Sequence, residues 1–323
     1  MIKKIKDFDK GDKKIRKEII KSIFLDYGIE YCGIAPVKFD NELGKILNDR
    51  LEKNYLSGME ESDIKKRLDA TLIMNDAKSI IVAAFPYYCG ENEDSNISMY
   101  CRGYDYHIVA KKIMESISEK IVNEFSNLEK NPMDIKTEIF VDNGPLVDRH
   151  LAYISGIGFW GLNGSIITEK YGSYVFIGYI VTNLDIEKDE PLEKTCLKCK
   201  RCIKNCPGNA LLENYSMNAK KCLSYITQKK GILTENEIDI IKKSGSIFGC
   251  DVCQNVCPHN KDIEVTNIEE LKNNLINKLT LSELENISNR EFKRRYCDRA
   301  FSWRGKGILV RNLEIMEGKN GKK

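Results

Sequence analysis

The residues with the most chemical content fall between Thr195 and His259. Cys196, Cys199, Cys202 and Cys206 run C-x2-C-x2-C-x3-C and lead into Pro207; Cys250, Cys253 and Cys257 run C-x2-C-x3-C and lead into Pro258, with Cys222 alone between the two runs. Eight of the chain's 12 cysteines are therefore concentrated here. In the first spacing, three thiolates hold one 4Fe-4S cluster and the proline-linked fourth reaches a second cluster. The second run lacks its first cysteine, and Cys222 is the natural replacement. If the proline-linked cysteines cross over, Cys196, Cys199, Cys202 and Cys257 hold one cluster, and Cys206, Cys222, Cys250 and Cys253 hold the other. Such a pair conducts single electrons. The competing reading is a pair of zinc sites, although successive two-residue gaps crowd a tetrahedral ion and zinc has no need of the prolines. Disulfides fit less well still, because thiols spaced as metal ligands suit a reducing compartment.

Outside this stretch, Asp142 stands at the end of an expected strand, in Phe140-Val141-Asp142-Asn143-Gly144-Pro145. A carboxyl group there sits where a ligand crevice opens, and desolvation beside Phe140 and Val141 would raise its pKa and suit it to donate a proton. The alternative is a helix N-cap before Pro145. Gly156-Ile157-Gly158-Phe159-Trp160-Gly161 matches the dinucleotide fingerprint literally but follows a helix, so a tight loop against a flat ligand is the better reading. His107, in Tyr104-Asp105-Tyr106-His107, either caps a helix or stands beside a ligand. Lys293, Arg294, Arg295, Arg299, Arg304, Lys306 and Arg311 are interleaved with Phe292, Tyr296, Phe301 and Trp303. That tail is either a solvated cationic face or a surface that grips phosphates and stacks on unpaired bases.

These residues need elements to position them. Ile15, Ile19, Ile20, Ile23, Phe24 and Tyr27 recur at helical spacing until Gly28. Strands are expected at 31–36, 79–85, 136–141 and 174–181, with helices around 43–51 and 105–128. Strands separated by helices imply an α/β sheet domain over about residues 1–185. The polar stretch 185–194 reads as a linker, and 267–279 and 281–287 as short helices, while the final GKNGKK reads as a disordered end. At 42% hydrophobic over 323 residues, the chain can bury one substantial core and a smaller module. Its balance of 51 basic against 48 acidic residues is too even to announce a nucleic-acid binder by itself. The start, MIKKIKDF, has no apolar run of signal-peptide length, and no stretch of about 18 apolar residues occurs, so a soluble, cytoplasmic protein is expected.

Several motifs together resemble the epoxyqueuosine reductase family: Lys66-Arg67-Leu68-Asp69, Cys101-Arg102-Gly103-Tyr104-Asp105-Tyr106-His107, Val141-Asp142-Asn143-Gly144-Pro145-Leu146, Tyr171-Gly172-Ser173-Tyr174, and the cysteine block through Phe248-Gly249-Cys250-Asp251-Val252-Cys253-Gln254. The resemblance covers most of residues 15–312. It implies an α/β (α+β) cobalamin-binding catalytic domain over 1–185, a ferredoxin-like double 4Fe-4S domain over 186–265, and a short helical, basic C-terminal segment over 266–323. It places Asp142 on the family's proton donor, Cys101 near cobalamin and substrate, and Arg67, Ile166, Ser224 and Asp251 at or near the corrin. Leu162 stands where the family commonly has a lysine. The implied reaction is reduction of epoxyqueuosine to queuosine in tRNA, by cobalamin fed with electrons from two 4Fe-4S clusters. The implied partners are a tRNA anticodon stem-loop, with Lys229, Lys230, Arg294 and Arg295 as candidate contacts, and an external low-potential electron donor. A monomer with no membrane association is expected. The alternatives are a cobalamin and iron-sulfur reductase of a small molecule, or a plain electron carrier.

Overall fold

The computed structural model describes residues 12–91, 94–126 and 134–318. The opening MIKKIKDF and all but the first residue of the closing GKNGKK lie outside the described residues. The first helix, α1 (Lys13–Asp26), begins where the Asp12 carboxylate accepts from the amides of Lys14 and Ile15. It presents Ile19, Ile20, Ile23 and Phe24 to the core at helical spacing. There follow β1 (Tyr31–Ala35), α2 (Asn41–Glu52), α3 (Ile64–Leu68), β2 (Ser79–Pro86), α4 (Tyr106–Ser126) and β3 (Thr137–Val141). Then come α5 (Asp148–Ile154), a hairpin of β4 (Phe159–Trp160) and β5 (Ile166–Ile167), and β6 (Val175–Thr182).

The main sheet has the order β1-β2-β6-β3, and every neighbouring pair is antiparallel. Alternating helices and strands suggest α/β, but the register makes α+β the description that applies. The helical connections return each chain segment against the direction of its neighbour instead of crossing over in parallel. β2 and β6 are central and covered on both faces. Along β2, Ile81, Ala83 and Phe85 enter the core shared with α1 and α4, while Ile80, Val82 and Ala84 enter the core on the α5 side. This two-residue alternation is the strand's own geometry, and it makes β2 uniformly apolar.

The second half is built from short helices: α6 (Arg201–Lys204), α7 (Leu223–Gln228), α8 (Glu235–Ser244), α9 (Val252–Asn255), α10 (Glu269–Lys272), α11 (Leu281–Glu285), α12 (Asn289–Tyr296) and α13 (Lys306–Met316). The helix expected over 267–279 is confined to α10, because the chain turns extended at Asn273 and left-handed at Asn274, φ +52°.

The two halves are locked together by side chains. Asp189, in the acidic stretch, accepts from the Ile34 amide and from Lys21, both at 2.9 Å. The Tyr-Gly-Ser-Tyr motif docks the cysteine loops onto the sheet. Asn260 Nδ2 donates to Ser173 Oγ at 2.9 Å, Tyr174 donates to Asn255 at 2.6 Å, and Gln254 Nε2 donates to the Ser173 carbonyl at 3.0 Å. At Gly172, φ +54°, a Cβ would lie 2.0 Å from Asn260 Oδ1, so only glycine permits the approach. From the C-terminal end, Phe292, Phe301 and Leu309 join the same core as Ile20 and Phe85. Asn312 is fully buried and donates to the carbonyls of Thr227 and Ile247, tying α13 to α7 and to the segment entering Cys250. Among the described residues, no helix is long and apolar enough to cross a membrane.

Candidate active site

A cavity of about 2180 Å³ opens where the ends of β3 and β6 meet the first turn of α4, the α2–α3 segment and the cysteine loops. Ordinary small-ligand pockets reach about 1,000 Å³, so this one suits a far larger occupant. Asp142, the residue after β3, lines it with its backbone in the left-handed region, φ +62°. For a residue with a side chain this conformation is strained and persists only where surroundings enforce it. Here Asn143 N donates back to the Val141 carbonyl at 2.7 Å, and the loop rests on the Tyr179 hydroxyl, which accepts from the Leu146 amide. Asp142 caps no helix. α5 begins only at Asp148 and has no side-chain cap.

The Asp142 carboxylate instead accepts from the Tyr106 hydroxyl at 2.6 Å and pairs with His107 Nε2 at 3.3 Å. The other His107 nitrogen, Nδ1, donates to Asp105 at 2.7 Å. Tyr106 is held flat against Phe176, with ring centroids 3.9 Å apart. Although burial alone would raise the Asp142 pKa, the hydrogen bonds from His107 and Tyr106 outweigh it, and the group lies below its ordinary value. The expectation of a desolvated, neutral Asp142 is therefore corrected. Its side chain is 56% exposed, toward the cavity. The proton resides next door: burial opposes the charged imidazole, but hydrogen bonds to Asp105 and Asp142 lift His107 to about 9. Burial and the adjacent carboxylate keep the Tyr106 hydroxyl protonated.

Cys206, Cys222, Cys250 and Cys253 line the wall of this same cavity. Cys196, Cys199, Cys202 and Cys257 surround a separate small cavity together with Leu162, Pro258 and His259. Cys196, Cys199 and Cys257 lie close enough to act electrostatically on Cys202, and Cys206, Cys222 and Cys250 on Cys253. Among the described residues, no three His, Cys, Asp or Glu side chains converge as the ligands of a single ion do. Four thiolates on zinc, at about 2.3 Å from the metal, would sit within about 3.8 Å of each other.

Residues 195–260 match the family model described as a 4Fe-4S double cluster binding domain, and residues 67–143 match the model described as Epoxyqueuosine reductase QueG, DUF1730. The epoxyqueuosine reductase of Bacillus anthracis is 38% identical over 296 residues, covering 88% of this chain and 75% of the relative. That of Bacillus subtilis is 37% identical over 318 residues, covering 93% and 78%. The chain belongs to the epoxyqueuosine reductase family. It is accordingly placed among oxidoreductases. A family structure solved with an epoxyqueuosine-modified tRNA-Tyr stem loop superimposes with a TM-score of 0.86 at 32% identity, covering 94% of this chain and 81% of the other. A structure of the Bacillus subtilis reductase, whose catalytic aspartate loop is swung out of its active site, superimposes with a TM-score of 0.81 at 31% identity, covering 94% and 82%.

Of the positions that the family resemblance marks, Arg67, Asp142, Ile166 and Ser224 line the large cavity. Cys101 and Asp251 stand behind its wall. Cys101 is fully buried, with its thiol on the Ser98 carbonyl, and the Asp251 carboxylate accepts from Ser98 Oγ and the Met99 amide. The unpartnered, buried Nε atoms of Arg50 and Arg67 and Oδ1 of Asp148 belong to residues of the same lining, so the wall offers polar groups that its own side chains leave unused. The glycine run leads into the β4–β5 hairpin: Gly156, φ +70°, turns the chain after α5 against the Glu190 carbonyl, and a Cβ on Gly158 would meet the Ile167 carbonyl at 2.6 Å, so these glycines serve backbone packing and not the flat ligand expected there.

The aromatic tail is mostly internal, since Phe292 and Phe301 are buried and Tyr296 packs between them. Arg294 and Arg295 pair with Glu291, Lys229 pairs with Glu237, and Lys230 is exposed. Tyr106, Asp148 and Arg149 also line the cavity and escaped the sequence reading as site residues. Tyr106 adjoins His107 in a motif already singled out, but its partner Asp142 is 36 positions away.

Proposed function

We propose that this chain reduces the epoxide of epoxyqueuosine to the alkene of queuosine at the wobble position of tRNA, with cobalamin in the large cavity and two 4Fe-4S clusters on the cysteine sets. The observation that carries this reading is the placement of the Asp142 carboxylate, with Tyr106 and the protonated His107 bonded to it, on one wall of a cavity whose other wall holds four cysteines. Residues 1–185 supply the catalytic wall, 186–265 the clusters, and 266–323 the helical cover. Arg67, Ile166 and Ser224 hold the corrin directly, while Cys101 and Asp251 shape the wall behind it.

The net change consumes two electrons and two protons and releases one water. Cobalamin, when bound, supplies the low-potential reducing chemistry at carbon, drawing on electrons that an external donor delivers through the clusters. The set of Cys206, Cys222, Cys250 and Cys253 is the inner relay because it faces the cavity. His107 passes its proton through the Nε2 contact to Asp142, which delivers it to the departing epoxide oxygen, while Asp105 holds the ring in place. Tyr106 fixes the carboxylate oxygen that is not free to turn. The strained backbone at Asp142 keeps the carboxylate aimed into the cavity.

The test is mass analysis of anticodon nucleosides after incubating the iron-loaded protein with cobalamin, a low-potential reductant and epoxyqueuosine-containing tRNA. Conversion to queuosine is expected. Iron and corrin binding with no change in the modified nucleoside would overturn the assignment.

A further inference from the structure

One aromatic residue of the C-terminal segment is not absorbed into the core. Trp303 is 53% exposed and lines the cavity. Its ring is fixed on two sides. The indole Nε1 donates to Gln228 Oε1 at 2.9 Å, and Gln228 in turn donates from Nε2 to the Ser224 carbonyl at 2.9 Å and to the Tyr100 hydroxyl at 3.4 Å. The Arg304 guanidinium lies over the ring, 3.7 Å from its centroid, and Arg304 Nε is buried with no partner. A half-exposed indole is ordinarily free to move; this one is held by the same residues that frame Ser224 and the inner cysteines. We propose that Trp303 is a stacking platform for an unpaired base of the anticodon loop, next to the nucleotide inserted into the cavity, with Arg304 supplying charge toward the adjoining phosphate.

This proposal rests on the reading of the cavity as the site of a tRNA reaction, and it concerns how the RNA is held there. Base–aromatic stacking is sequence-tolerant, because every base has a flat face, and a pre-fixed ring loses little freedom when it is used. The rest of the basic aromatic tail does not compete for this role. Its other aromatic rings are packed inside, Arg299 is buried with a hydrogen bond to the Arg102 carbonyl, and Lys306 and Arg311 are tied to backbone carbonyls.

The experiment uses the cluster-loaded protein and compares W303A and W303F with the unaltered chain. Three quantities are read: affinity and KM for an epoxyqueuosine-modified anticodon stem-loop, kcat/KM for the free modified nucleoside, and cobalamin uptake by absorbance. W303A is expected to weaken stem-loop affinity by about 5- to 150-fold, the range of one stacked base. W303F is expected to recover most of that loss, while in both variants turnover of the free nucleoside falls less than stem-loop affinity and cobalamin is still taken up. Unchanged stem-loop affinity overturns the platform, as does an equal loss on the free nucleoside, a loss of cobalamin uptake, or a W303F no better than W303A. Failure of the unaltered chain to bind the stem-loop overturns the proposed function itself.

Discussion

Asp142 and His107 divide one proton between them, and the division sets how the site responds to substitution and to pH. D142N preserves the size of the side chain but can neither pass on a proton nor draw one from His107. Turnover is expected to fall by about 10² to 10⁴-fold while iron content and cobalamin binding hold, measured by single-turnover nucleoside analysis. An unimpaired rate would remove Asp142 as the acid. Because His107 is raised to about 9, its proton is in place at neutral pH, and the rate should stay level until the pH approaches that value and then decline. The same raised pKa adds stability that is complete below the ordinary histidine value and is lost as pH rises through about 9. D105N removes one of the two partners that hold the proton, so the alkaline limb of kcat should move to lower pH; an unmoved limb would show that another group titrates. Asp142 was legible in the sequence from its place at a strand end. Its ionisation was not, because Tyr106 and His107 arrive from a helix 35 to 36 positions earlier in the chain.

At the scale of elements, the wall of the cavity depends on contacts that do not face it. Asp251 holds the short turn Met99–Cys101 through Ser98 Oγ and the Met99 amide, and that turn presents Tyr100 to the cavity. D251A is expected to cost about 1.5–3 kcal/mol, seen as a lower denaturation midpoint with unchanged slope, and D251N somewhat less. Equal stability of D251A and the unaltered chain would mean that the turn is fixed by other contacts. Long periodic elements such as α1, α4 and β2 were legible, because their apolar spacing reports a single buried stripe or a strand covered on both faces. The antiparallel direction of the sheet was not, since helices between strands are compatible with either pairing. The early end of α10 at Asn273 lay below the resolution of an apolar count.

At the scale of the molecule, the two cysteine sets make a prediction about non-additivity. If each cluster takes one ligand from the other run, C257S and C199S damage the same cluster, and their combination should lose no more iron than C199S alone. C257S combined with C222S should lose both clusters. Iron quantitation with electron paramagnetic resonance of the reduced protein checks this, and equal iron in C257S-C222S and C222S would sink the crossed arrangement. The cysteine content was the most legible feature of the sequence, because ligand spacing is local. Ser224 and Asp251, which flank the set containing Cys222, lead to the expectation that this set lies nearer the corrin; what spacing could not show is the docking of Gln254 and Asn260 onto Ser173 that brings the two halves together at the wall of the large cavity.

The crossed sets also bear on how the protein is made. A chain emerging from the ribosome presents Cys196, Cys199 and Cys202 well before Cys257, and the segment leading to Cys250 is pinned by Asn312 near the end of the chain. Neither cluster can be completed on a half-made polypeptide. If the sets are crossed, a chain arrested before Cys250 lacks ligands for both clusters, and iron can complete the pair only after synthesis has passed both runs.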